Sequence, residues 1–170
     1  MEVTQEVNIG SKISNWYTEN GRQNLPWREN VTPYRIWISE IMLQQTQVNT
    51  AIDYFNRFMA KYPDLETIKD ANEDDIYSLW SGLGYYRRAS YIYRAKEAIH
   101  ANFSGRMPEQ YKDIISLPGI GRSTAGAILS IAFNKPYPIL DANVKKVISR
   151  IFYKNSYEEK SFWELSEQML

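Results

Sequence analysis

The stretch LPGIGRSTAGAI, Leu117 to Ile128, constrains the fold more than any other part of the chain. It carries one proline and three glycines inside a region of helical periodicity. Within a helix, glycine costs about 1 kcal/mol and proline about 3 kcal/mol relative to alanine. A helix must therefore break here, and the flanking segments, PEQYKDIISLPG and RSTAGAILSIAF, read as two helices joined by a tight hairpin. Pro118 ends the first. Gly119 and Gly121 allow positive φ and leave backbone N–H groups uncovered by side chains. The second helix starts at about Arg122, with its free N–H groups and positive dipole end pointing outward. Such an end suits a phosphate, and Ser123 and Thr124 add hydroxyl donors. Ala125, Gly126 and Ala127 keep the second helix thin, so the pair packs closely. Plain helix–helix turns also use a glycine. The length of this pattern points instead to a nucleic-acid backbone, held independently of base sequence.

The rest of the chain has helical periodicity throughout and no alternating strand pattern of useful length, so the class is all-α. IGSKISNWYTEN, YRIWISEIMLQQT, VNTAIDYFNRFMAKYP, DLETIKDAN, DDIYSLWSGLG, YYRRASYIYRAKEAIHANF, DANVKKVISRIF and EEKSFWELSEQML read as further helices. PEQYKDIISLPG is expected to start at its proline. Trp27, Trp37 and Trp80 are expected to be packing residues. The 170 residues are 44% hydrophobic, enough to build a core. No apolar run is long enough for a membrane span, and the N-terminus lacks the pattern of a secretory signal. The chain stops at Leu170 within a helical pattern without a cap, as expected of a truncated protein. No cysteine and a single histidine, His100, leave no basis for a disulfide or a cysteine- or histidine-cluster metal site. Net charge is zero but unevenly spread. Residues 62–86 hold one basic and six acidic groups, whereas residues 87–150, which contain the hairpin, hold eleven basic and four acidic. A local basic patch can meet a polyanion without an extreme overall charge.

The hairpin resembles the helix-hairpin-helix of the DNA glycosylase superfamily that includes endonuclease III. In that family an aspartate follows the hairpin at a fixed distance, here Asp141 in YPILDANVKKV. LPWRENVTPYRIWISEIMLQQTQV and LWSGLGYYRRASYIYRA narrow the resemblance to the adenine DNA glycosylases, the MutY family, over roughly residues 13–168. The resemblance implies an endonuclease III-like fold of two helical lobes with the active site in the cleft between them. Residues 29–136 would form a six-helix lobe with the helix-hairpin-helix at 113–130. Residues 1–28 plus 137–170 would form the second lobe, incomplete at its C-terminal end. The implied activity is monofunctional hydrolysis of the N-glycosidic bond of adenine mispaired with 8-oxoguanine or guanine. The implied partner is double-stranded DNA, engaged by a monomer in the cytoplasm at the nucleoid. An endonuclease III-like glycosylase/lyase for oxidised pyrimidines and a non-catalytic helix-hairpin-helix DNA-binding fragment stay open as alternatives.

Glycosidic cleavage develops positive charge on the sugar, so it benefits from a proton donor for the base and an anion for the sugar. Glu40 sits among Trp37, Ile38, Ile41, Met42 and Leu43, and apolar surroundings push a carboxyl pKa up. On residues alone it is equally an exposed glutamate of an amphipathic helix; the resemblance makes it the proton donor that also helps activate water. Asp141 opens a helix and on residues alone is an N-cap, a position that keeps a carboxylate ionised. The resemblance makes it the catalytic aspartate, with Asn143 as a supporting polar group. Ala142 stands where the family commonly has glycine. Ser123 stands where bifunctional relatives have a Schiff-base lysine. The resemblance also places Gln45 as a wedge in the base stack, Leu43, Gln44 and Thr46 near the DNA, and Tyr85 beside 8-oxoguanine. Arg28 is placed near the flipped adenine, and Leu117, Gly119, Gly121, Arg122, Ser123 and Thr124 on the DNA backbone. The family's iron–sulfur cluster is ligated by cysteines beyond the matched region, so no cofactor is expected on this chain.

Overall fold

The computed structural model describes residues 9–152 and 158–170. The described residues contain helices and no strand. In chain order these are α1 (Ile9–Asn20), α2 (Pro33–Leu43), α3 (Val48–Lys61), α4 (Leu65–Ile68), α5 (Glu73–Trp80) and α6 (Arg87–Phe103). There follow α7 (Tyr111–Ile114), α8 (Arg122–Ala127) with a π-helical continuation over Ile128–Ala132, α9 (Ala142–Ile151) and α10 (Glu159–Gln168). The backbone groups into two compact units, one of Leu25–Ile139 and one of Met1–Asn24 with Leu140–Leu170.

The larger unit is built around α2. Thr32 caps it by accepting a 3.2 Å hydrogen bond from Arg35 N, and Pro33 occupies the first helical turn, where its missing N–H is no loss. Seven of its residues, Tyr34, Ile36, Trp37, Ile38, Ser39, Ile41 and Met42, are buried, so it is a core helix with most of its surface packed. α3, α6, α8 and the π-helical segment cover it. Trp27, Trp37 and Trp80 all lie in this core, as expected, with Trp27 edge-on to Phe55 at 5.4 Å between ring centres.

Two short helices owe their existence to their caps. At α4, Asp64 accepts from Thr67 N at 2.8 Å and Thr67 Oγ1 accepts from Asp64 N at 3.2 Å. At α5, Asn72 accepts from Asp75 N at 2.9 Å and Asp75 accepts from Asn72 N at 3.1 Å. Each closes a reciprocal capping box. The Asn72 backbone N–H, and then the Lys61 ammonium, hold Asp75 below its ordinary pKa.

Two expectations are corrected. The helix expected to start at Pro108 begins only at Tyr111, and its four residues give way to turns in which Leu117 N donates to Ile114 O and Ile120 N to Leu117 O. The helix expected over RSTAGAILSIAF is α-helical to Ala127 and then loosens into the π form. The smaller unit has its own cluster of Leu140, Ile148 and Trp163, joined by Val144, Phe152, Phe162, Leu165 and Met169.

Candidate active site and nucleic-acid interface

The hairpin is held by two different glycine requirements. Gly119 has φ +79°, and a Cβ there would lie 2.5 Å from Tyr91 Cβ and 2.6 Å from its Cγ. Gly126 faces the carbonyl of Pro138 so closely that a Cβ would overlap it, which seats the Pro138 backbone against α8. Gly121 needs neither freedom. Its φ is −92°, contrary to the positive value expected, and a Cβ would meet nothing within 4 Å. As N-cap of α8 it presents bare backbone at an exposed position. Arg122 beside it is exposed and Ser123 half-buried. Leu117 and Thr124 are only 2% and 8% exposed, so a ligand at the hairpin meets the Leu117 backbone rather than its side chain.

Glu40 lies in the last turn of α2, half-buried between the buried runs Ile36–Ser39 and Ile41–Met42. The helix expected to run through the following glutamines stops at Leu43. Gln44 (φ −58°, ψ 115°) and Gln45 (φ 55°) form the centre of a type II turn closed by Thr46 N donating to Leu43 O at 3.2 Å. The third position of such a turn normally takes glycine or asparagine; here glutamine occupies it, and its side chain is exposed. Thr46 Oγ1 donates to Gln44 O at 3.3 Å. A second left-handed residue, Tyr85 (φ 49°), sits at the start of α6 with 60% of its surface exposed. Its neighbour Tyr86 folds back, its hydroxyl accepting from Gly82 N at 3.3 Å. Non-glycine residues in this region cluster where function requires them. Arg28 is exposed, in a turn closed by its own N–H to Leu25 O at 2.8 Å.

In the smaller unit, Asp141 caps α9 from an exposed position. One oxygen accepts from Asn143 N at 2.8 Å and Val144 N at 2.7 Å. Asn143 therefore supports the carboxylate through its backbone N–H.

A residue that sequence reasoning passed over lies beneath both left-handed turns. Arg88, 5% exposed, donates from Nη1 to the carbonyls of Ile41, Met42 and Gln44 at 3.1, 2.7 and 2.5 Å, and from Nη2 to Gly84 O at 3.1 Å. The first three are carbonyls that the end of α2 and the following turn leave without helical partners. Burial lowers the Arg88 pKa, partly offset by Tyr85. The signal was available, since Arg88 shares the inward α6 face with Ile92, Ala95, Lys96 and Ile99.

A model of the HhH-GPD superfamily of base excision DNA repair proteins matches residues 38–168. The chain belongs to this superfamily. A relative named adenine DNA glycosylase, from Buchnera aphidicola subsp. Acyrthosiphon pisum (strain APS), is 49% identical over 162 residues, 92% of this chain and 46% of the relative. The protein of the same name from Homo sapiens is 33% identical over 183 residues, 99% of this chain and 33% of the relative. This HhH-GPD chain thus spans about half the length, or less, of these curated relatives. Among solved structures, a thermostable thymine-DNA glycosylase superposes with a TM-score of 0.84 at 30% identity, over 94% of this chain and 76% of that one. A trapped endonuclease III–DNA covalent intermediate shares the fold, with a TM-score of 0.80 at 17% identity over 95% and 75% of the two chains.

The iron–sulfur cluster implied by the adenine glycosylase resemblance does not fit these residues. The 170 residues include no cysteine, and among the described residues no three His, Cys, Asp or Glu side chains gather as a metal site. Among the described residues no helix is long and apolar enough to cross a membrane.

Proposed function

We propose that this HhH-GPD chain carries the base-removing part of an adenine DNA glycosylase, acting on adenine opposite 8-oxoguanine or guanine in double-stranded DNA. The observation that carries this reading is the 49% identity, over 92% of the chain, to a protein named adenine DNA glycosylase. Glu40 gives a proton to the leaving adenine as the C1′–N bond breaks and its electron pair departs with the base. Asp141, one of whose oxygens accepts from two backbone N–H groups, stabilises the sugar cation until water adds to C1′. Glu40 then receives the proton that the water loses. Asn143 positions Asp141, and Arg28 contacts the extruded adenine. Gln45, with Leu43, Gln44 and Thr46 around it, enters the base stack, and Tyr85 inserts beside 8-oxoguanine, since an exposed aromatic can stack on a base. The exposed Gly121 backbone, with Leu117, Gly119, Arg122, Ser123 and Thr124, holds phosphate without reading sequence. Serine at 123 forms no Schiff base, so the enzyme removes the base and leaves the strand intact. It acts as a monomer, in the cytoplasm at the nucleoid.

The thymine-DNA glycosylase likeness supports a second reading, release of thymine from a mispair. Duplexes carrying adenine opposite 8-oxoguanine and thymine opposite guanine separate the two. Adenine release with scission only after alkali supports the first reading. Thymine release supports the second, and scission without alkali indicates a lyase. DNA retention with no base released defeats both glycosylase readings.

A further inference from the structure

Gln45 and Tyr85 are forty residues apart in the chain, yet one side chain governs both. The peptide entering Gln45 carries the Gln44 carbonyl, and the peptide entering Tyr85 carries the Gly84 carbonyl. Arg88 Nη1 donates to the first at 2.5 Å and Nη2 to the second at 3.1 Å. Each strained φ is therefore a rotation about a bond whose leading peptide plane is fixed by the same planar fork. The Arg88 guanidinium also lies 5.5 Å from the Tyr85 ring centre and 5.3 Å from that of Trp80. Trp80 Nε1 donates to Gly84 O at 3.1 Å, so this carbonyl is gripped twice. The fork is buried, which removes competing water and keeps the four acceptors in place.

We propose that Arg88 is a positioning residue that sets the separation and facing of Gln45 and Tyr85, and through them the enzyme's discrimination between mispairs. The discrimination half of this inference rests on the glycosylase reading above; the positioning half stands on the geometry. With both turns tied to one rigid group, the two exposed side chains act as a calliper of fixed gap rather than as two independent loop residues. Arginine is required because a lysine ammonium has no fork with which to hold two peptide planes in one geometry.

The test compares the unsubstituted chain with R88K and R88M. In the DNA-free proteins, amide hydrogen exchange is followed at Thr46, whose N–H closes the Gln45 turn, and at residue 88, whose N–H donates to Tyr85 O at 2.9 Å. Tyr62, whose N–H donates to Phe58 O at 2.8 Å, is the control. The expected result for R88K is faster exchange at both turn amides with Tyr62 unchanged. Thr46 protection that survives R88K overturns the positioning role, as does loss of protection that is equal at all three sites. With duplex DNA, single-turnover adenine release by R88K is expected to fall about tenfold to a hundredfold, the scale of a small misplacement. The preference for adenine opposite 8-oxoguanine over adenine opposite guanine is expected to fall with it. Reduced release with an unchanged preference overturns the discrimination claim. If the unsubstituted chain releases no adenine, the glycosylase reading fails and the discrimination claim with it, while the exchange data still decide the positioning claim.

Discussion

Gly119→Ala and Gly121→Ala are both single methyl additions at one hairpin, and the structure predicts opposite consequences. At Gly119, alanine must adopt φ +79°, a left-handed conformation that costs an L-residue about 1–2 kcal/mol. The new Cβ also falls 2.5 Å from Tyr91 Cβ, an atom fixed to the α6 backbone that no rotamer change can move away. Overpacking of that kind adds about 1–3 kcal/mol. The sum, about 2–5 kcal/mol, is a large share of the roughly 5–15 kcal/mol that holds a typical domain folded. At about 2–4 °C per kcal/mol for a chain of this size, Gly119→Ala should lower Tm by about 4–20 °C. At Gly121 the φ is ordinary and the added methyl meets nothing, so only the loss of a favourable N-cap residue remains, about 0.5–1 kcal/mol. That methyl instead stands over backbone N–H groups where a phosphate would approach, so duplex affinity should fall about tenfold. Calorimetry and fluorescence anisotropy with a labelled duplex measure the two effects. Equal Tm losses would refute the steric argument. Unchanged duplex affinity for Gly121→Ala would refute the backbone contact.

Gln45→Gly relieves a left-handed residue, so Tm should hold or rise slightly while adenine release falls; a drop in Tm would show that Gln45 makes native contacts beyond its turn. Asp141→Ala removes the acceptor of two backbone N–H bonds and should cost about 1 kcal/mol of stability, whereas Asp141→Asn should keep the cap; equal melting of the two variants would deny the capping role. Asp75 is held below its ordinary pKa in the folded chain, so its contribution is present above the unfolded value near about 4 and is lost as pH falls through the folded value. The Tm difference between the unsubstituted chain and Asp75→Ala should therefore narrow below about pH 4, and a gap constant with pH would contradict the assignment.

Punctuation and periodicity made much of this protein legible. The α9 cap by Asp141, the burial of three tryptophans and the break at Gly119 follow from local chemistry that a short window contains. The left-handed turns do not. Neither Gln45 nor Tyr85 is a residue type that favours positive φ, and the group that grips the Gln45 turn, Arg88, is distant from it in sequence. The LQQT segment keeps helical composition, yet its Gln44 carbonyl turns toward Arg88. That arginine is invisible to hydropathy because a charge on an apolar face reads as an error in the pattern, and its long stem and fork resolve the conflict only in three dimensions. The shortness of α7 and the π form after Ala127 both depart from segments of helical composition, and beside the second the Pro138 backbone closes on Gly126.

The central claim is that Glu40 and Asp141 serve the same glycosidic bond, one as proton donor and one as anion. Single-turnover adenine release at saturating duplex, compared for the unsubstituted chain, Glu40→Gln and Asp141→Asn, tests it directly. Release is expected from the unsubstituted chain and only background release from both variants, with duplex affinity within a few-fold. Release that persists in either variant at near the unsubstituted rate would contradict it.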